Sequence, residues 1–428
     1  MYILDEPSIG LHSKDTERLI KILKDLRDIG NTVIVVEHDE DIMQEADQII
    51  DIGPNAGIEG GNIVFQGPLE KIFNKKESLT TGYLSGALKI TRPKEINNPN
   101  GHISITGINQ YNLKNINTKF PLNTLTLVTG VSGSGKSTLI KDVLKPAVNY
   151  FLGKSFQKNN NYKKININTN IDKIEFVSQR PIGKSSRSNP ATYLKIYDDI
   201  RKLFTEQPLS KKRNYKAGFF SFNIDGGRCD YCKGEGEIIV EMQFMADVYL
   251  KCEECKGKRF KKEILEIKFK EKYISDILNL SVKEAIKFFE YNNQHTISKK
   301  ISPLQEVGLK YIKLGQSSNT LSGGEAQRIK LASFLSKGET EEKNLFIFDE
   351  PTTGLHFHDI NKLLKSFSSL IKKGHSIICV EHNLDVIKCA DWIIDLGPEG
   401  GEKGGKIVFE GTVKDIINCK KSITGKFL

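Results

Sequence analysis

The sequence predicts an α/β protein organised around a parallel sheet, with a phosphate-binding loop in the sheet domain and a metal-binding module inserted into it. Three observations carry that prediction. Short apolar runs alternate with amphipathic helical stretches, the pattern of strand–helix–strand units. Gly130-Val-Ser-Gly-Ser-Gly-Lys-Ser137 directly follows the apolar run Leu125–Val128 and precedes a helical pattern. The chain also contains part of itself twice, since residues 1–67 align without a gap on residues 345–411 at a constant offset of 344.

The duplication sets the order of the elements. LDEPSIGLH at Leu4–His12 matches FDEPTTGLH at Phe348–His356, and 19 of 37 positions are identical between Asn31–Gly67 and His375–Gly411. So long a period marks a duplicated unit and not a short solenoid repeat. In each copy a short apolar strand ends in Asp-Glu-Pro and an amphipathic helix follows. A second strand ends in Glu-His, at Val33–His38 or Ile377–His382, and a further helix leads to a Gly-rich hairpin and a last strand, Ile63–Phe65 or Ile407–Phe409. Only three residues separate Met1 from Asp5, so the chain is expected to open inside a strand that a complete domain would place late. Residues 68–100, with Pro68, Pro93 and Pro99, read as the connection between the units.

The phosphate loop has the chemistry its spacing requires. Its glycines let backbone N–H groups wrap phosphate oxygens at a helix N-terminus. Lys136 supplies a point charge to the β- and γ-phosphates and Ser137 a hydroxyl ligand for Mg²⁺. The nucleotide-binding set is therefore Gly130, Val131, Ser132, Gly133, Ser134, Gly135, Lys136, Ser137 and Thr138. Asp349 and Glu350 end the strand Leu345–Phe348; the first carboxylate suits Mg²⁺ and the second suits positioning or deprotonating the attacking water. His382 ends the neighbouring strand, within reach of a γ-phosphate, and its repetition as His38 beside Glu37 favours function over a packing role. Gln179, after Ile174–Val177, reads as a sensor of Mg²⁺ and water. Leu321-Ser-Gly-Gly-Glu-Ala-Gln-Arg328 opens a helix, with Ser322 as N-cap and Glu325 completing a capping box. Gly323 and Gly324 at that helix start also form an anion site.

Cys229, Cys232, Cys252 and Cys255 form C-x2-C-x19-C-x2-C between the phosphate loop and LSGGE. Two such knuckles supply the four thiolates of tetrahedral structural Zn²⁺. With seven cysteines in 428 residues, and neither a secretory signal nor a twenty-residue apolar run, the composition favours a reducing cytoplasm, metal over disulfides, and no membrane. Cys379, Cys389 and Cys419 read as core or surface thiols. Of the net charge of +10, residues 180–272 carry +7, with 21 Lys/Arg against 14 Asp/Glu. A basic, metal-bearing insertion points to a polyanionic partner, for which nucleic acid is the leading candidate.

Phosphate loop, glutamine, LSGGE, DEPTTGLH and EH together resemble the ABC ATPase superfamily. LGQSSNTLSGGEAQRIKLASFLS, VEHNLDVIKCADWIIDLGPEGG, PIGKSSRSNPATY at Pro181–Tyr193 and FSFNIDGGRC at Phe220–Cys229 narrow the resemblance, from Met1 to Leu428, to the UvrA family of bacterial nucleotide excision repair. The resemblance implies a P-loop NTPase of ABC type with a zinc-bearing insertion domain, preceded by a partial first ABC unit. Residues 1–85 would be the remnant of the first unit, 86–100 a linker, 101–180 and 315–428 the second ATP-binding domain, and 181–314 the insertion, with zinc at 229–255. It also implies ATP, Mg²⁺ and Zn²⁺ as cofactors, damaged double-stranded DNA and a UvrB-like protein as partners, and a homodimer. Lys173, Lys184 and Arg187 match the family's DNA-facing stretch, where contacts would go to backbone and deformed shape and not to base edges.

In the family each nucleotide is sandwiched between one unit's phosphate loop and the other unit's LSGGE. Residues 1–67 supply Asp5, Glu6 and His38 as a remnant site that keeps its opposing, nucleotide-facing signature, Ser322, Gly323, Gly324 and Glu325, but has no phosphate loop of its own. The site at Gly130–Ser137, in turn, has no opposing signature motif. Weak hydrolysis by this chain alone is expected, as is an unstable residue 1–67 segment with exposed apolar edges. Two alternatives stay open at this stage: a UvrA-like paralogue in drug tolerance, or a truncated, hydrolysis-deficient fragment that needs an N-terminal half in trans.

Overall fold

The computed structural model describes residues 1–55, 57–73, 78–91, 98–155, 157, 159–183, 185–243, 247–336 and 341–428. Pro93 and Lys184 lie outside the described residues. The chain divides into two compact units, Met1–Ser178 with Glu339–Leu428, and Gln179–Gly338. The first holds both copies of the duplication. The second holds the cysteine cluster, and it also holds the LSGGE helix and Gln179, both within the ranges 101–180 and 315–428 expected of the ATP-binding domain.

In the first unit a sheet of the described residues runs in the order Lys406–Gly411, Trp392–Gly397, Leu125–Gly130, Ser376–Val380, Asn344–Asp349, Lys173–Val177. All neighbours are parallel except the first pair. Leu125–Gly130 and Ser376–Val380 are buried at every position, as continuous apolar strands covered on both faces must be. Val380 lies in register with Val128 on one side and Asp349 on the other. The C-terminal ends of three strands therefore converge, bringing together the phosphate loop, Glu381-His382 and Asp349-Glu350. This edge is where open parallel sheets bind ligands. A three-stranded antiparallel sheet, Leu113–Pro121, His102–Gln110 and Lys164–Ile167, packs its apolar residues into the same core.

The first copy repeats the pairings but not the whole sheet. Tyr2–Asp5 pairs in parallel with Val33–Val36, and Ile49–Gly53 pairs antiparallel with Asn62–Gly67. In the second copy Leu125–Gly130 lies between the counterparts of Val33–Val36 and Ile49–Gly53. Among the described residues no strand takes that place in the first copy, and its two strand pairs stay separate. The consequence is visible in exposure: Ile3 and Ile50 are 67% and 58% exposed, while their counterparts Ile347 and Ile394 are 0% exposed. Residues 68–100, read from sequence as a connection, form helices at Leu69–Ile72 and Leu79–Leu84 before the linker.

In the second unit, helix Ile196–Thr205 carries Tyr197 and Phe204 into an aromatic cluster with Phe220, Phe222 and Phe260, while helix His295–Glu306 packs against Ile196–Thr205, Val282–Tyr291 and Gly323–Leu335. The hairpin of Glu237–Val240 and Val248–Lys251 lies between the two cysteine knuckles. Among the described residues, no helix is long and apolar enough to cross a membrane.

Candidate nucleotide site and metal centre

The phosphate loop leaves the buried strand Leu125–Gly130 and enters a wide helical turn, Thr138–Leu144, that continues as Lys145–Phe151. Gly130 is required by space as well as by its φ of 128°: a Cβ there would meet the Leu396 carbonyl at 2.1 Å. Lys136 is 8% exposed and its Nζ donates to the Gly130 and Val131 carbonyls at 3.0 and 3.2 Å. Burial pulls its pKa down to about 8, against the opposing pull of Glu350 and other carboxylates.

Glu350 holds a left-handed backbone at φ 44°, and its N–H donates to the Val380 carbonyl at 3.0 Å. Burial first, then the charge of Asp349, raises the Glu350 pKa. His382 Nε2 lies 3.7 Å from Glu350 Oε1, and burial holds this imidazole neutral, well below its usual pKa. Among the described residues its Nδ1 is buried with no hydrogen-bond partner. Asp349 Oδ2 forms an ion pair with Lys141 at 2.6 Å.

The remnant site reproduces this arrangement. Glu6 has φ 45°, its N–H donates to the Val36 carbonyl at 2.9 Å, and His38 Nε2 lies 3.6 Å from Glu6 Oε1. Asp5 ends the strand beside Val36. The two sites also face each other. A Cβ on Gly10 would stand 3.2 Å from Glu350 Oε2, and one on Gly354 would stand 3.1 Å from Glu6 Oε2. A shared cavity is lined by Glu6, Gly10, His38, Glu350, Gly354 and His382, among others.

Sequence reasoning passed over the group that orients these turns. The buried Glu381 carboxylate accepts from the Thr352 N–H and hydroxyl and from the His382 N–H, at 3.1, 2.8 and 3.1 Å. Glu37 does the same in the first copy, taking the Ser8 and His38 N–H groups, both at 2.9 Å. Burial raises the Glu381 pKa to about 7. The repeated Glu-His pair was the available signal, though only its histidine was singled out.

In the second unit Ser322 caps Gly323–Leu335 in a full capping box with Glu325, and Tyr311 Oη donates to Glu325 at 2.6 Å. Gln179 packs on the first of the paired glycines: a Cβ on Gly323 would stand 3.1 Å from Gln179 Cβ.

The four cysteines converge within 4.8 Å of one another and are all buried. Sγ–Sγ separations of 3.9 Å for Cys229–Cys252 and 3.6 Å for Cys232–Cys255 bracket the edge of about 3.8 Å expected of a tetrahedron with Zn–S bonds of about 2.3 Å. The Gly236 N–H donates to Cys232 Sγ at 3.2 Å, the kind of amide–sulfur bond that steadies a thiolate ligand. The donor set and its dimensions fit zinc. Cys379 and Cys389 are buried and Cys419 is half-buried.

Lys173 and Arg187, which the sequence matches to a DNA-contacting stretch, each carry an acidic partner. Lys173 donates to both Glu342 oxygens at 2.7 Å. Arg187 pairs with Glu235 at 3.4 Å, a residue of the zinc module.

Fold and site together define an ATPase fold of the ABC type, with a signature-bearing unit that carries four cysteines suited to zinc. The particular likeness is to UvrABC system protein A. The chain is 56% identical over 429 residues to that protein of Clostridium perfringens, a match covering 100% of this chain and 45% of the relative. To the Bacillus subtilis protein it is 52% identical over 429 residues, covering 100% and 44%. The crystal structure of UvrA2 from Deinococcus radiodurans superposes with a TM-score of 0.93 at 42% identity, covering all of this chain and 51% of that one. No family model matches. The chain thus resembles the C-terminal half of UvrABC system protein A and spans about half the length of the relatives it matches.

Proposed function

We propose that this chain binds and hydrolyses ATP as the C-terminal portion of a UvrA-like excinuclease subunit that recognises damaged double-stranded DNA and loads a UvrB-like partner. One observation carries the reading. The similarity to UvrABC system protein A spans every residue of the chain, at 56% identity to one relative, so the nucleotide site and the cysteine cluster both fall within it. A homodimeric full assembly and a cytoplasmic setting follow from the same reading.

In this reading the chain's own residues do most of the positioning. Phosphate oxygens would take the place of the Gly130 and Val131 carbonyls as partners of Lys136, and their charge would restore a fully protonated ammonium. Glu350, made more basic by burial and by Asp349, is tuned in the direction that favours taking a proton from water. Neutral His382, beside Glu350, would donate a hydrogen bond without adding charge. Mg²⁺, when bound, supplies neutralisation of the phosphate charge; Ser137 and Asp349 would hold it, and Lys141 would leave Asp349. Zn²⁺ would be held by Cys229, Cys232, Cys252 and Cys255 as a structural ion.

The test combines a fluorescent ATP analogue, a phosphate-release assay and anisotropy with lesion-bearing and undamaged duplexes. The expected results are nucleotide binding that Lys136→Ala abolishes, and a turnover that Glu350→Gln lowers by about a hundredfold or more. Lesion-bearing duplex should bind more tightly than its undamaged twin. Absence of nucleotide binding, or equal affinity for the two duplexes, would overturn the reading.

A further inference from the structure

The two histidines that close the DEP-to-helix turns, His12 and His356, are each seated in the opposite copy. His12 is 1% exposed. Its Nδ1 accepts the Lys14 N–H at 3.2 Å, which places the ring proton on Nε2. That Nε2–H donates to Thr424 Oγ1 at 3.1 Å, and the Thr424 hydroxyl donates in turn to Asp395 Oδ1 at 2.8 Å. Asp395 is 2% exposed and also accepts from Ser422 at 2.6 Å and from Thr129 at 2.8 Å. Thr129 is the residue immediately before Gly130, where the phosphate loop begins. The His12 ring also stands edge-on to His382, with centroids 6.2 Å apart, and edge-on to Phe427 at 5.9 Å.

The mirror arrangement holds His356. Its Nδ1 accepts the His358 N–H at 3.3 Å and its Nε2 contacts Thr80 Oγ1 at 3.3 Å. Thr80 and Ser78 donate to Asp51 at 3.1 and 2.5 Å, and Tyr83 stands edge-on to the ring at 6.0 Å. Every member is related to its twin by the offset of 344: Asp51 to Asp395, Ser78 to Ser422, Thr80 to Thr424 and Tyr83 to Phe427. The duplication therefore continues to Leu84 and Leu428, beyond its clear sequence identity.

We propose that His12, contributed by the first copy, is a positioning residue of the second copy's nucleotide site. It fixes the His382 ring by direct contact, and it fixes the entry to the phosphate loop through Thr424, Asp395 and Thr129. His356 is its counterpart for the remnant site, through Thr80 and Asp51. The proposal rests on the reading of Gly130–Ser137, Glu350 and His382 as an ATP site. A buried imidazole held by one donor and one acceptor has a single orientation, and an edge contact transmits that orientation to the neighbouring ring.

The experiment uses the full chain labelled with ¹⁵N at its eight histidines, with long-range ¹⁵N–¹H spectra recorded without nucleotide. His12 should report the Nε2–H tautomer. His12→Ala and Thr424→Val should each shift the His382 ring signals, and so should His12→Gln, which loses the ring but keeps an N–H donor at the Nε2 position for Thr424. In steady-state hydrolysis His12→Ala should lower kcat by about tenfold at unchanged KM, and His12→Gln should lose less. Unmoved His382 signals in folded His12→Ala and Thr424→Val would overturn the proposal, and so would a Gln variant as impaired as Ala. Should His12→Ala fail to fold, Thr424→Val decides, since it removes a single hydroxyl. The spectra need no nucleotide, so a chain that failed to bind ATP would defeat the functional reading while leaving this proposal decided on its own terms.

Discussion

Glu350 and Glu6 share a backbone conformation that glutamate seldom adopts, and each faces a glycine of the other copy. Non-glycine residues at positive φ cost about 1–3 kcal/mol and persist where the surroundings over-determine them. Here the strand on one side and the Glu381 or Glu37 carboxylate on the other fix the turn. Gly10 combines φ 69° with close contact to the Glu350 carboxylate, whereas Gly61 has φ 80° and, among the described residues, nothing within 4 Å of a Cβ. Gly10→Ala and Gly61→Ala should therefore both lose about 1–2 kcal/mol of stability in denaturant titrations. Only Gly10→Ala should also lower kcat, by crowding Glu350. Equal kcat in the two variants would show that the close approach has no catalytic weight. The convergence of Glu350, Lys136 and His382 at one sheet edge was legible because each sits in a short motif of fixed spacing. His12 was not, because its partner Thr424 lies 412 residues away and only the folded chain brings them together.

At the level of elements, the paired cysteine knuckles and the capped signature helix were also readable. A C-x2-C pair encodes its own turn, and Ser322 with Glu325 encodes its own cap. The local setting of individual basic residues was less so, because Lys173 pairs with Glu342 and Arg187 with Glu235, partners far along the chain. Net charge along a sequence cannot reveal such pairing. Burial raises the thiol pKa of Cys232, and that of Cys255 to about 12, so these two sulfurs gain their ligand form only with a cation beside them. The purified chain should carry one zinc per molecule by elemental analysis. Chelation should speed amide exchange in Glu237–Val240 and Val248–Lys251 and leave Ser376–Val380 protected. Substoichiometric metal, or a hairpin indifferent to the chelator, would argue against a structural zinc.

On the scale of the whole molecule, the parallel sheet, the inserted unit and the duplication were all foreseeable from the sequence. The ends of the duplication were not, because identity fades beyond Gly67 while the Asp–Ser–Thr seats persist. The two copies should differ sharply in local stability. Hydrogen exchange should be faster in Tyr2–Asp5 and Val33–Val36 than in Asn344–Asp349 and Ser376–Val380, since among the described residues only the latter pair is flanked by further strands. Comparable protection in both pairs would contradict that. The exposed isoleucines of the first copy also have a calorimetric meaning. Burying such a side chain is worth about 1.5–3 kcal/mol, and it removes apolar surface whose hydration raises the heat capacity of the free chain. Entry of a strand equivalent to Leu125–Gly130 between Val33–Val36 and Ile49–Gly53 would then register as a large negative heat-capacity change, and its affinity would weaken on cooling.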